Sequence, residues 1–220
     1  MPIAADKRGV SPPLQARSRE TYDRILDALE SLLEAKRFEE ITVRELVGRS
    51  GTSTGSFYAR FPSKDTLLPA LYDRHDRGLR ARTASRRGAE GATGETLEET
   101  VRAVMRGVVD RYRRRRWFVR AVALHARQHP ELITDDTRRR RNALHAEWRA
   151  RLLRHREAIT HPDPETAVAF GLFMTITACR EKIAFADAPH AASFDLPAER
   201  LVEESTRALL AYLGSPVGGK

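Results

Sequence analysis

A chain of 220 residues can bury a substantial core, either as one large domain or as a small domain joined to a larger one. With 41% hydrophobic and 31% charged residues, it is too polar to be embedded in a membrane and too apolar to be wholly disordered. The formal charge of +9 sits in the middle, where 21 basic residues stand against 10 acidic ones in 80–160, compared with 13 against 12 before and 5 against 8 after.

Such an excess admits a polyanionic partner, nucleic acid or an anionic membrane surface. Only five of the 39 basic residues are lysines, however, so an arginine-rich composition gives the same excess and charge alone does not locate a nucleic-acid site.

Residues 1–16 hold three prolines, no apolar periodicity and no apolar core of a secretory signal, and they read as a flexible arm. From Ser18 to about residue 35, Tyr22, Ile25, Leu26, Leu29, Leu32 and Leu33 recur at three- and four-residue steps, with Glu20 and Asp23 in the first turn. That pattern predicts an amphipathic helix. Thr42-Val43-Arg44-Glu45 is a capping box opening a second helix. Gly51 ends it, being the residue suited to the left-handed conformation. Ser53 offers the next N-cap almost at once, Pro62 closes that short helix, and Ser63 caps another carrying Leu67, Leu68, Leu71 and Leu79.

The glycine-rich stretch 83–95 predicts a linker, which divides the chain into an arm 1–16, a small domain 17–80 and a larger one 81–220. In the larger part Leu97, Val101, Val104, Met105, Val108, Val109 and Tyr112 form one helical stripe. A helix begins at Trp117 and meets Pro130, and an arginine-rich helix from about 135 to 156 carries Leu144, Trp148, Leu152 and Leu153. His161-Pro162-Asp163-Pro164 is a break. Residues 167–185 are apolar on nearly every side, so that helix must be covered all round. It contains Cys179, the single cysteine, which precludes an internal disulfide or a cysteine metal cluster and fits a reducing cytoplasm. A last helix, 197–213, places Leu201, Val202, Leu209, Tyr212 and Leu213 to one side. Without period-two alternation or an apolar run of about 18 residues, the expectation is an all-α, cytoplasmic protein with no membrane segment.

The informative stretch is 42–68. A capped helix, a tight glycine-containing turn and a second short helix make a helix-turn-helix, whose second helix can enter the DNA major groove. Gly51, Ser53, Gly55, Ser56, Phe57, Tyr58, Phe61, Ser63, Lys64 and Leu67 resemble the helix-turn-helix signature of TetR-family transcriptional regulators, preceded by the amphipathic helix such proteins carry. One departure is Thr52, where the family usually has an inward-packed valine. On physical grounds Ser53, Thr54 and Ser56 bring hydroxyls and backbone N–H groups to phosphates and base edges, and Gly55 lets backbone approach backbone. The resemblance implies that Tyr58, Lys64 and Thr42 grip phosphates. Arg44 and Arg60 are added as further contacts, with Arg17 and Arg19 reaching neighbouring phosphates or a minor groove. Leu46, Val47, Phe57 and Phe61 read as the core of the three-helix unit.

The resemblance further implies a homodimer on a palindromic operator in double-stranded DNA, with repression relieved by a small-molecule effector. Helices near 165–185 and 197–213 form the dimer interface in such proteins, and their apolar surface independently asks for cover. An effector pocket of the larger domain would be lined by Met105, Val109, Tyr112, Trp117, Phe118, Trp148, Phe173 and Met174, all of which equally suit an ordinary core.

Catalysis finds no support. His125 and His129 have the spacing of paired metal ligands on a helix, but no glutamate adjoins the first and no third ligand is readable nearby, so both are assigned to packing or solvent. Cys179 lacks a catalytic partner, and no nucleophile elbow, dinucleotide fingerprint or phosphate-binding loop is present. No enzyme activity, cofactor or metal is expected. The alternative function is a basic helical protein applying Arg111, Arg113–Arg116 and Arg138–Arg141 to an anionic membrane or acidic partner, although a solvated helix face explains these residues as well.

Overall fold

The computed structural model describes residues 16–87 and 95–214. The expected arm, but for residue 16, and the centre of the expected linker lie outside the described residues. Among those described, every regular element is a helix and there is no strand. The helices are α1 (Ala16–Leu33), α2 (Val43–Ser50), α3 (Thr54–Tyr58), α4 (Leu67–Arg87), α5 (Leu97–Arg114), α6 (Arg116–Gln128), α7 (Asp135–Leu153), α8 (Pro164–Ala184), α9 (Pro189–Ala192) and α10 (Ala198–Gly214). No described helix is long and apolar enough to cross a membrane. Two compact bodies form, one of 16–87 and 120–138, the other of 95–119 and 139–214.

In the first body the stripe read from the sequence is the buried one: Ile25, Leu26 and Leu29 are fully enclosed on α1. Tyr22 stacks on Phe61 with ring centroids 5.0 Å apart, and Phe61 meets Phe57 at 5.7 Å. Arg74 ties α4 to α1, donating to Asp27 at 2.6 Å and to Glu30 at 2.9 Å. Two expectations are corrected. Ser63 makes no side-chain cap; a 3-10 turn over Lys64–Thr66 intervenes, with the Thr66 hydroxyl donating to the Ser63 carbonyl at 2.7 Å, and α4 starts at Leu67. The same helix runs to Arg87, through the first part of the expected linker. Residues 83–87 contain neither glycine nor proline, so nothing in them stops a helix already propagating.

In the second body α5, α8 and α10 surround a core that includes Val101, Met105, Val108, Leu172, Ile176 and Leu209. Gly171 permits the close approach of α8 and α10: a Cβ there would run into Leu209 Cδ1 and lie 3.2 Å from Tyr212 Cδ1. Thr96 and Glu99 form a reciprocal capping box at the start of α5. Helix α7 ends at Leu153, short of the expected 156, and His155 pairs with Thr100 Oγ1 at 2.8 Å. Asp163 caps α8 by accepting from Thr166 N at 3.1 Å, with Pro164 in the first turn where no N–H is required. Cys179 is enclosed beside Ser205, and burial pushes its thiol up, as befits an inert core residue.

Candidate nucleic-acid interface

The helix-turn-helix assembles from local signals. Thr42 Oγ1 accepts from Glu45 N at 3.2 Å, while Glu45 Oε2 accepts from Thr42 N at 2.9 Å, so α2 opens with both partners of the capping box engaged. The Glu45 carboxyl is pushed down to about 2, first by the Lys36 ammonium hydrogen-bonded to it and then by the Thr42 N–H and hydroxyl. At the other end Gly51 adopts φ 62°, ψ 35°. Its N–H reaches Gly48 O and that of Thr52 reaches Val47 O at 3.1 Å, the paired bonds of a Schellman turn. Thr52 keeps its hydroxyl satisfied 2.8 Å from Ser50 Oγ, which accommodates a polar group where the resemblance leads one to expect valine.

Ser53 then caps α3, accepting from Ser56 N at 3.1 Å. Helix α3 has only five residues, so one buried side chain fixes its orientation: Phe57 is fully enclosed, and Thr54, Gly55 and Tyr58 are consequently exposed. Tyr58 is 53% exposed and stands edge-on to Phe57 at 5.2 Å. A Cβ at Gly55 would meet only Ser53 Oγ, at 4.0 Å, so the interior does not demand glycine there. Its effect is to leave bare backbone on the outer side of the helix.

The expected DNA-facing residues therefore fall into three groups. Arg44, Thr54, Gly55 and Tyr58 are exposed. Thr42, Ser53 and Ser56 lie on the same segment with their hydroxyls in caps: Thr42 donates to Glu45 Oε2 at 2.9 Å and Ser53 to Ser56 Oγ at 3.0 Å. Arg60 and Lys64 are turned inward. Arg60 donates to Ser56 O at 2.8 Å and to the carbonyl and hydroxyl of Ser18, both at 3.3 Å, joining α3 to the start of α1. Lys64 Nζ donates to the carbonyls of Phe38, Glu39 and Ile41 at 3.0, 3.1 and 3.0 Å and lies 4.8 Å from the centre of the Phe38 ring. Arg19 is exposed on α1; the Arg17 side chain lies outside the described residues.

The residues expected to line an effector pocket do not form one set in the second body. Met105 and Val109 belong to the core and Phe118 is buried, while Tyr112 and Trp148 pack against that core from its edge. Arg111 lies over the Trp148 ring at 5.2 Å. Trp117, Phe173 and Met174 are exposed instead. The last two share the outer face of α8 with Phe170, whose ring lies 6.4 Å from Phe173 and 5.8 Å from Tyr212 of α10.

Residues 25–71 match the family described as bacterial regulatory proteins, tetR family. Over 84 residues the chain is 37% identical to the transcriptional regulator EthR of Mycolicibacterium smegmatis, covering 38% of this chain and 36% of that protein. Over 50 residues it is 34% identical to the regulator YvdT of Bacillus subtilis, covering 23% and 26% respectively. The matched stretches thus span about a quarter to a third of the length of these curated relatives. A crystal structure of a TetR-family regulator from Mesorhizobium loti superposes with a TM-score of 0.65 at 18% identity, over 90% of this chain and 98% of that one. The regulator SCO4454 from Streptomyces coelicolor superposes at 0.55 with 21% identity, over 88% and 94%. These likenesses carry the fold across nearly the whole chain.

Proposed function

We propose that this chain, which belongs to the TetR family of bacterial regulatory proteins, acts in the cytoplasm as a homodimeric repressor that occupies a palindromic operator and leaves it on binding a small molecule. One observation carries the DNA-binding part: burial of Phe57 turns Thr54, Gly55 and Tyr58 outward from a capped short helix, presenting hydroxyls, bare backbone and a phenol to a groove. Thr54 and Ser56 sample base edges, Tyr58 and Arg44 take phosphates, and Ser53 with Thr42 hold the helix ends that carry them. Arg60 and Lys64 act by positioning, because their donors are engaged within the head.

Dimerisation rests on the exposed rings of α8. A monomer would leave Phe170 47% and Phe173 63% exposed beside Met174, a contiguous apolar face of the kind that marks an interface. Two heads in successive major grooves then sit about 34–36 Å apart on DNA. An effector would act by preferring the dimer whose heads are wrongly spaced, and only that preference shifts the population.

The test is binding of the purified protein to DNA upstream of its own gene, at several salt concentrations, beside an unrelated fragment and a Tyr58→Ala variant. A preference of about a thousandfold or more for one fragment, lost in the variant, is the expected result. Equal and steeply salt-dependent binding to both, unchanged by Tyr58→Ala, would sink the operator reading for that DNA and leave the arginine-rich segments as a general polyanion surface.

A further inference from the structure

We propose that Asp65, His125 and His129 form a binding site for one divalent metal ion of the zinc class. The three belong to the first body, and one ligand atom from each lies within 4.8 Å of those of the other two. His125 and His129 are one turn apart where α6 ends, and Asp65 comes from the 3-10 turn that leads into α4. This supplies the third group that the sequence did not reveal, brought in from 60 positions away.

Two further observations point to ligation. The His125 ring is held in place: it is buried, lies edge-on to Phe38 with centroids 5.3 Å apart, and its Nε2 sits 3.1 Å from the Asp65 carbonyl oxygen. His129 Nδ1 lies 3.1 Å from Glu131 Oε1. Ligating histidines are ordinarily supported in this way, one ring nitrogen donating to a carbonyl or carboxylate while the other keeps its lone pair. The two rings approach to 4.6 Å between centroids, and the Asp65 and Glu131 carboxylates supply negative charge to offset a cation. Tetrahedral zinc with bonds of about 2.0 Å needs donors about 3.3 Å apart. Rotation of Asp65 and His129, both partly exposed, closes the remaining gap, and water takes the fourth position.

Such an ion would fasten the end of α6 to the residue next to Lys64, and so to the cradle of carbonyls that Lys64 holds. Its binding involves no DNA and is measured apart from the operator reading. The experiment is calorimetric titration of the full-length, tag-free protein with Zn2+, and with Co2+ followed by visible absorption, for the native chain, His129→Gln and Asp65→Asn. One ion per chain is expected, with d–d bands for Co2+, a Zn2+-dependent rise in Tm, and affinity lowered in each variant by more than the about 10- to 100-fold that loss of a mere supporting partner brings. Both substitutions are at partly exposed positions, and circular dichroism checks that each variant is folded. Absence of stoichiometric binding at concentrations up to about 100 µM, or equal binding by the native chain and both variants, would overturn the site; the latter would put the ion on other histidines.

Discussion

Lys64 distinguishes a positioning role from a DNA-contacting one. Its ammonium donates to three carbonyls at 3.0, 3.1 and 3.0 Å, two of the bonds being part-buried, and it also faces the Phe38 ring. Replacing it with methionine keeps the apolar stem but leaves the Phe38 and Ile41 carbonyls without this donor. At about 1–1.5 kcal/mol for each part-buried charge-assisted bond, and a few tenths for the ring contact, the loss is roughly 2–3 kcal/mol. That lowers Tm by roughly 4–12 °C if the two bodies unfold together and by roughly 8–24 °C if the first unfolds alone. Thermal unfolding followed by circular dichroism, in the absence of DNA, gives the answer directly. A lysine whose work is to grip phosphate would leave the free protein's Tm unchanged. If Lys64→Met melts with the native chain yet binds DNA poorly, the positioning argument fails and phosphate contact takes its place.

Three other outcomes follow from the same geometry. Ser53→Ala removes the cap of a five-residue helix and should cost about 1 kcal/mol; amide exchange at Ser56 should accelerate and operator affinity fall, and unchanged exchange would count against the cap. Gly171→Ala drives a Cβ against Leu209 Cδ1 and to 3.2 Å from Tyr212 Cδ1 inside a closed core, so Leu209 must shift and denaturant unfolding should show a loss of about 1–3 kcal/mol; a neutral result would mean that Leu209 has room to move or that α8 and α10 are less closely apposed. Glu45, with its carboxyl at about 2 against an ordinary 4.5, contributes stability that is complete above about pH 4.5 and is lost as pH falls through 2. Acid titration of Glu45→Gln, followed by circular dichroism, should therefore be flatter than that of the native chain in this window, and parallel curves would refute the linkage.

The parts of the fold legible in the sequence were those specified by neighbours a few positions apart. Thr42 and Glu45 begin α2, Gly51 ends it, and Ser53 begins α3, because each cap is closed by a backbone group within four residues. Side chains whose partners lie far along the chain were not legible. Nothing near Arg60 says that it will meet Ser18, and nothing near Lys64 says that it will find the carbonyls of 38–41; residue type for Arg60, and the family resemblance for Lys64, suggested cations facing DNA. Asp65 beside His125 is the same case across 60 positions. For α8, the all-round apolar composition said that every face needs cover without saying which face the protein's own core supplies. The structure uses Val168, Leu172 and Cys179 inside and leaves Phe170, Phe173 and Met174 outside, so Phe173 and Met174, read as pocket lining, lie on the face proposed for a second copy.

The inward turn of Arg60 and Lys64 also changes how affinity would be built. Of the three cations expected on or beside the reading segment, Arg44 remains exposed there, while the groups on α3 proposed to read base edges are hydroxyls and backbone. A single head then has few phosphate contacts and little affinity, and pairing two heads multiplies that small contribution. Each phosphate neutralised contributes a slope of about −0.9 to the dependence of log affinity on log salt. A dimer reading mainly through Tyr58, hydroxyls, backbone and one arginine per head should therefore show a shallow slope for the part of binding that Tyr58→Ala removes. The basic middle of the chain would supply a steeper component common to all DNA. Salt titrations of the native chain and Tyr58→Ala on both fragments separate the two: if the component lost in the variant is itself steep, more cations than Arg44 take part in operator recognition, and the argument for few phosphate contacts per head fails.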